Sequence, residues 1–159
     1  MNISLSKVTL LVLSVYLLAG CAEKYELDRK MEELCKKDGG VKIYETVKLP
    51  PEMFDELGQP HFSGDTDFKR LGNGTTRKLG EAYTYIIENT TLKAGDPLKG
   101  EGYLGCSHYK IQRNSDKKIL AEAIQYLRAG GDLLTFGHHS SKACPAEQKG
   151  LIEQVFVKI

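Results

Sequence analysis

The chain has 159 residues, of which 41% are hydrophobic, and carries 22 Lys and Arg against 21 Asp and Glu. Lys7 is the only charged residue among the first twenty, so acids and bases are equal in number over the rest of the chain. A chain without basic excess has no electrostatic attraction for nucleic acid or anionic lipid, so neither is expected as its main ligand. Its length and apolar content exclude a disordered chain and predict one modest core in a single domain.

The N-terminal segment has the organisation of a signal peptide. Residues 1–7 carry one positive charge, and residues 8–18 form an apolar run interrupted only by Thr9 and Ser14. This run is shorter than the ~20 residues that a transmembrane helix needs, and its length is typical of a signal-peptide core. Residues 1–20 are therefore predicted to be a signal peptide that is removed on export.

The apolar run ends in Leu18-Ala19-Gly20-Cys21, which resembles the lipobox of bacterial lipoproteins. The resemblance implies cleavage before Cys21, transfer of a diacylglyceryl group to its thiol, and a further acyl chain such as palmitate on its amine. Two or more acyl chains anchor a protein to a membrane far more durably than one. In Gram-negative lipoproteins an Asp after this Cys commonly causes retention in the inner membrane. Ala22 therefore favours the periplasmic face of the outer membrane.

Residues 21–26 are predicted to be a short lipidated tether, and residues 27–159 a single periplasmic domain. That domain begins with a helix, because four apolar residues fall on one helical stripe: Leu27, Met31, Leu34 and Cys35. Asp38-Gly39-Gly40 is a helix-termination signal.

Residues rich in β-branched and aromatic side chains predict strands at 41–47, 82–88, 103–113 and 118–127, with a turn at 114–117 joining the last two. The 118–127 segment also fits a helical period. Residues 51–57 are interpreted as one helical turn and residues 58–80 as an irregular connection.

The C-terminal segment is interpreted as a helix that begins at Pro145, because Leu151, Ile152, Val155 and Phe156 fall on one helical stripe. Together the elements predict a small α+β domain with an antiparallel sheet of three to four strands and helices at both termini.

Disulfides persist in the oxidising periplasm, so the remaining cysteines, Cys35, Cys106 and Cys144, are interpreted first as disulfide candidates. Cys35 ends the first predicted helix and Cys144 precedes the last, so a bridge between them would join both helices. We favour this pairing. A Cys106–Cys144 bridge, a Cys35–Cys106 bridge and the absence of any bridge remain open.

Cys106, His108 and the pair His138-His139 are residue types that bind zinc or copper. Their spacing matches no metal-binding motif, and a metal would compete with a disulfide for the same sulfur atoms. Residues 106 and 108 share one face of a strand, but a nucleophilic pair also needs an orienting group and an oxyanion site. We therefore expect no catalytic residue, metal or cofactor.

Five tyrosines lie on predicted strands: Tyr83, Tyr85, Tyr103, Tyr109 and Tyr126. An exposed tyrosine face would suit a glycan or a partner protein. The high β-propensity of tyrosine and its suitability for half-buried sheets explain the same pattern without a ligand.

Residues 37–40 with 44–50, and residues 130–145, resemble a group of small Gram-negative lipoproteins over about half of the mature chain. That group has no assigned activity, so the resemblance implies a fold and a redox pattern but no catalytic residue. We expect a lipid-anchored envelope protein with a binding or structural role, whose partner is an envelope protein or a glycan.

Two other functions are kept as alternatives. One is an envelope hydrolase or metal-dependent enzyme that uses Cys106, His108, His138 and His139. The other is a prophage or plasmid exclusion lipoprotein that blocks a surface receptor.

Overall fold

The computed structural model describes residues 23–62, 68–132, 138–146 and 150–159. The predicted signal peptide and Cys21 lie outside these ranges. No helix within them is long and apolar enough to cross a membrane. The α+β class and the N-terminal helix are confirmed, but the sheet is larger than predicted.

The N-terminal helix, α1, covers residues 23–38 of the described chain. The strands are β1 (Gly40–Ile43), β2 (Val47–Leu49), β3 (Phe68–Leu71), β4 (Gly74–Leu79), β5 (Tyr83–Lys93), β6 (Tyr103–Arg113), β7 (Ile119–Ala129), β8 (Ser141–Cys144) and β9 (Phe156–Lys158). A short helix, α2, covers Leu151–Val155, and 3-10 turns cover Pro51–Met53 and Pro97–Lys99.

Seven strands form one antiparallel sheet, in which β3, β4, β5, β6 and β7 are successive neighbours. The outer edge of β7 is completed by two short strands. β1 pairs with residues 121–124 of β7, and β8 pairs with residues 126–129. Both run antiparallel to β7, so they follow one another along the same edge. Separately, β2 and β9 form a parallel pair.

Side chains of neighbouring positions point to opposite faces of a strand, so β6 and β7 contribute to two different layers. On the first face, Leu27 and Met31 of α1 pack against Leu104 and Tyr126, and all four are buried. This contact covers only the end of the face where β6 begins and β7 ends.

The main core lies on the second face, at the other end of the sheet. Its buried members are Phe62, Leu79, Ile111, Leu120, Ala121, Ala123, Leu151, Val155 and Phe156. The Phe156 ring makes edge-to-face contacts with Phe62 and Tyr83, at centroid distances of 4.9 and 5.0 Å. Burying an apolar side chain of this size contributes about 1.5–3 kcal/mol. Thus α1 covers one half of the first face, and α2 covers the other half of the sheet on the second face.

A buried arginine attaches α1 to the sheet. Arg128 is only 2% exposed, and its Nε donates to the Asp28 carboxylate at 2.8 Å. Its Nη1 donates to the Ser140 carbonyl and hydroxyl oxygens at 2.9 and 2.7 Å. A buried charge is tolerated only when it is paired and hydrogen-bonded, and Arg128 meets both conditions.

Residues 23–26, assigned to the tether from the sequence, form the first turn of α1. Glu23 forms an ion pair with Lys93, and Lys24 contacts Asp132 at 2.9 Å. Burial would raise the pKa of Asp132, but hydrogen bonds from Ser140 and the Lys24 ammonium lower it to about 2. The chain is thus held against the sheet from the first described residue.

A disulfide joins Cys35, near the end of α1, to Cys144, the last residue of β8, with a Cα–Cα distance of 5.9 Å. This is the pairing favoured from the sequence, and Cys106 is a free cysteine. Gly39 leaves room for the sulfur of Cys35, because a Cβ atom at position 39 would lie 2.8 Å from that sulfur.

Three predictions about the elements are wrong. Residues 58–80 contain β3 and β4, two strands rich in charged residues. β3 pairs with β4, and β4 pairs with β5, so both strands extend the sheet at one edge. Residues 41–47 divide into β1 and the start of β2, because the chain leaves β7 to pair with β9 instead.

The third error concerns the C-terminal helix, which contains only Leu151–Val155. Phe156 leaves the helix to pair with Val47 of β2, and its ring is buried in the main core. Pro145 follows the last residue of β8 rather than starting the helix. Tertiary pairing and burial of Phe156 therefore override the helical period of this segment.

Replacing both Cys35 and Cys144 by alanine should lower the free energy of unfolding by about 2–5 kcal/mol, because the bridge joins residues that are 109 positions apart in the sequence. Urea denaturation measures the loss, and the wild type in reducing buffer should match the double variant. A non-reducing peptide map that links Cys106 to Cys144 would contradict the structure.

Candidate functional site

The half of the first face that α1 does not cover carries a group of interacting polar side chains. We call it the His108 cluster, and its members are Lys42, Tyr44, Glu88, His108, Lys110 and Glu122. They come from β1 and the residue after it, β5, β6 and β7, so four strands bring them together.

Glu122 lies at the centre of the cluster. Its carboxylate is 3.1 Å from Nε2 of His108 and 3.6 Å from Nζ of Lys42, and it accepts a hydrogen bond from the Tyr44 hydroxyl. The Tyr44 hydrogen bond, followed by His108 and Lys42, lowers the pKa of Glu122 against the opposing effect of burial. The same hydrogen bond raises the pKa of Tyr44. Glu122 is therefore an anion that three neighbours stabilise.

A second carboxylate lies on the other side of the histidine ring. Glu88 contacts Nζ of Lys110 at 2.7 Å and lies 4.0 Å from Nδ1 of His108. His108 is thus placed between two carboxylates on neighbouring strands. Such cross-strand pairs of opposite charge stabilise a sheet, and here they leave charges of both signs on a partly exposed face.

A β-bulge decides which side chains share this face. The pairing of β6 with β7 changes from Ile111 with Ala121 to Gln112 with Ile119, so Leu120 is the additional residue. Because side-chain direction alternates along a strand, one extra residue moves every later side chain to the opposite face. The bulge therefore places Glu122, rather than Ala123, on the same face as His108.

A shallow cavity of about 210 Å³ adjoins the cluster and shares Glu88 with it. Its other lining residues come from the β3–β4 hairpin and β5, and they include Leu71, which is 62% exposed, and Ile86. The candidate surface therefore combines charges of both signs with a partly apolar hollow.

A larger groove of about 380 Å³ lies on the second face. There the guanidinium of Arg77 lies over the rings of Phe68 and Tyr85, at 5.7 and 5.4 Å from their centroids. Burial raises the pKa of Tyr85 to about 12, so its hydroxyl is neutral at physiological pH. By these cation–π contacts Arg77 connects Phe68, in the edge strand β3, to Tyr85, in β5.

Cys106 and His108 share a face of β6, as their spacing predicts, but they have different environments. Cys106 packs against the cluster of Leu27 and Tyr126 beneath α1. Burial raises the pKa of its thiol, which is the opposite of what a nucleophilic cysteine needs. The nitrogen atoms of His108 face Glu122 and Glu88 instead.

His138 and His139, the other weak metal candidates, are exposed and precede β8. Their neighbour Ser141 pairs with Ala129, whereas His108 pairs with Ile124, five positions away along β7. Ala129 and Ile124 are roughly 17 Å apart along β7 at the usual rise of a strand, so β8 and His108 meet β7 at different places. Within the described ranges, no group of three or more His, Cys, Asp or Glu is arranged to hold a metal ion.

The strand tyrosines do not form an exposed platform. Tyr83, Tyr85 and Tyr109 pack against the main core, and Tyr126 is 5% exposed beneath α1. The hydroxyl of Tyr126 donates to Asp38 at 2.7 Å. These four tyrosines therefore contribute to packing, and Tyr103, the fifth, is half-buried in β6.

Sequence reasoning singled out only His108 of the six cluster residues. Lys42, Tyr44, Glu88, Lys110 and Glu122 were missed because each is an ordinary charged or polar residue in its own strand. The predicted turn at 114–117 joins β6 and β7, but nothing in the sequence pattern revealed the bulge that sets their register.

Neither a family model, nor a curated protein, nor a solved structure matches this chain. The resemblance to bacterial lipoproteins therefore stays a prediction from the sequence.

The substitution Tyr44→Phe should raise the pKa of Glu122 toward its ordinary value, because it removes the hydrogen bond that lowers that pKa most. The Glu122 charge stabilises the fold above the ordinary carboxyl pKa, and this contribution disappears as the pH falls through the lowered value. Carboxyl NMR titration measures the shift.

The matched control for this titration is Tyr25→Phe, since Tyr25 is 70% exposed and distant from the cluster in α1. The control should leave the pKa of Glu122 unchanged. An equal pKa of Glu122 in Tyr44→Phe and wild type would show that the Tyr44 hydrogen bond is not what lowers this pKa.

Proposed function

We propose that the protein is a lipid-anchored component of the bacterial cell envelope that binds an envelope protein through the surface formed by the His108 cluster. Its anchor is the acylated Cys21, at the periplasmic face of the outer membrane. The role is one of binding rather than catalysis.

The lipobox-like segment Leu18-Ala19-Gly20-Cys21 carries the anchoring part of the proposal. The Cys35–Cys144 disulfide supports export, because disulfides persist in oxidising compartments and are rare in the cytosol.

The exposure of the His108 cluster supports the binding part. Glu88 and Lys42 are 48% and 57% exposed, so one charge of each sign points outward from a network whose inner members hold it in place. Preorganised charges favour association because little side-chain freedom is lost when a partner binds. The adjoining hollow beside Leu71 offers an apolar contact next to these charges.

The separation of the reactive residues favours binding over hydrolysis. Cys106 is half-buried and the pKa of its thiol is raised, whereas His108 lies between two carboxylates. His138 and His139 precede β8, which pairs with the last residues of β7. The envelope hydrolase would need these residues at one site, and a partner-binding surface does not.

Replacing Cys21 by alanine should abolish incorporation of radiolabelled palmitate, because the acceptor thiol is lost. Cys106→Ala is the matched control, and it should incorporate label like the wild type. Equal labelling of Cys21→Ala and wild type, or no labelling of either, would rule out the anchor. Fractionation of the labelled envelope then assigns the inner or outer membrane.

A photoreactive amino acid in place of Leu71, which lines the hollow beside the His108 cluster, should crosslink the lipidated protein in cells to one envelope protein. The same probe at Glu81, which is 96% exposed at the β4–β5 turn, serves as the control and should give no adduct with that envelope protein. The double substitution Lys42→Gln with Glu88→Gln should reduce the yield of an adduct formed from a probe at Leu71. Repeated absence of a specific adduct at position 71 would count against the binding surface.

A further inference from the structure

Exposed apolar side chains lie at the end of the domain where the described chain begins. Tyr25, in the first turn of α1, is 70% exposed, and Leu98, in the 3-10 turn between β5 and β6, is 69% exposed. Neither contributes to the two core clusters. Their exposure therefore has no explanation in the packing of the domain.

Contacts show that these two residues belong to the same end of the molecule. A Cβ atom at Gly131 would lie 3.2 Å from the Cα of Lys24, and one at Gly130 would lie 2.8 Å from the Cα of Pro97. The start of α1, the end of β7 and the turn that carries Leu98 are thus packed together. The ion pair of Lys93 with Glu23 adds a further link.

The distance along the chain places the acylated residue at this end. Cys21 is two residues before Glu23, and two residues of extended chain span at most about 7 Å. Since α1 is fastened to the sheet by Arg128 and Asp28, there is no long flexible tether that would let the domain turn away. The bilayer must therefore lie against the end that carries Tyr25 and Leu98.

Three lysines at this end are each paired with a carboxylate. Lys24 is paired with Asp132, Lys93 with Glu23, and Lys99 with Asp96 at 3.4 Å. An amphipathic Tyr and an exposed Leu are the kinds of side chain that settle at the boundary between headgroups and acyl chains. With its lysines paired, this end needs no anionic lipid for that contact.

We infer that this end of the domain lies in the membrane interface, with Tyr25 and Leu98 in direct contact with lipid. The domain then has one fixed orientation, in which the sheet stands with its β5–β6 turn toward the bilayer and its β6–β7 turn away from it. This inference rests on the proposed acylation of Cys21.

The test uses the full lipidated protein, purified from membranes and reconstituted in phosphatidylcholine vesicles that contain a spin-labelled lipid quencher. An environment-sensitive fluorophore is attached to Leu98→Cys or, as a second variant, Tyr25→Cys, both in a Cys106→Ala background. The matched control is Ser115→Cys in the β6–β7 turn. The eleven residues of β6 put that turn roughly 36 Å from the other end of the sheet.

The quencher should reduce the fluorescence at residues 98 and 25 several-fold more than at residue 115, and added anionic lipid should leave this ratio unchanged. The orientation alone is overturned if a protein that carries its acyl label and binds the vesicles shows equal quenching at both ends. Absence of quenching at residues 98 and 25 in such a protein overturns it equally. A protein without acyl label that does not bind vesicles overturns the anchor and the orientation together.

Discussion

The arrangement of this domain depends on the outer edge of β7, where the Cys35–Cys144 disulfide joins segments 109 residues apart. That edge is completed by β8 and β1, which come from opposite ends of the chain and meet near the bridge. Neither strand has more than four residues, and short strands are not stable by themselves. The covalent link keeps both in place, together with the end of α1.

Fastening α1 at this edge also decides which part of the sheet stays open. The helix covers only the half of the first face that carries Leu104 and Tyr126, whereas α2 and the β2–β9 pair cover the opposite half of the second face. The uncovered half of the first face then has to satisfy its own charges. It does so through the network around Glu122 and His108, which pairs these charges across four strands.

Elements with local signals were predicted well. The strand 103–113 matches β6, and the apolar stripe from Leu27 to Cys35 predicted α1. The β3–β4 hairpin was missed because all four residues of β3 are exposed, so the strand has no buried alternation to reveal it. The C-terminal helix was overestimated because a helical stripe does not show that Phe156 pairs with another strand. Local patterns report periodicity, and long-range pairing overrides them.

The sequence by itself determined the features that reside in short stretches of residues: the lipobox-like Leu18-Ala19-Gly20-Cys21, the charge balance and the first helix. It favoured Cys35 and Cys144 as disulfide partners, and the structure decided this pairing among the alternatives. Only the tertiary structure decided that the presumed tether is the docked first turn of α1 and that Glu122 meets His108. Both depend on contacts between distant segments. The second depends on Leu120, because one bulged residue reverses which face every following side chain of a strand occupies.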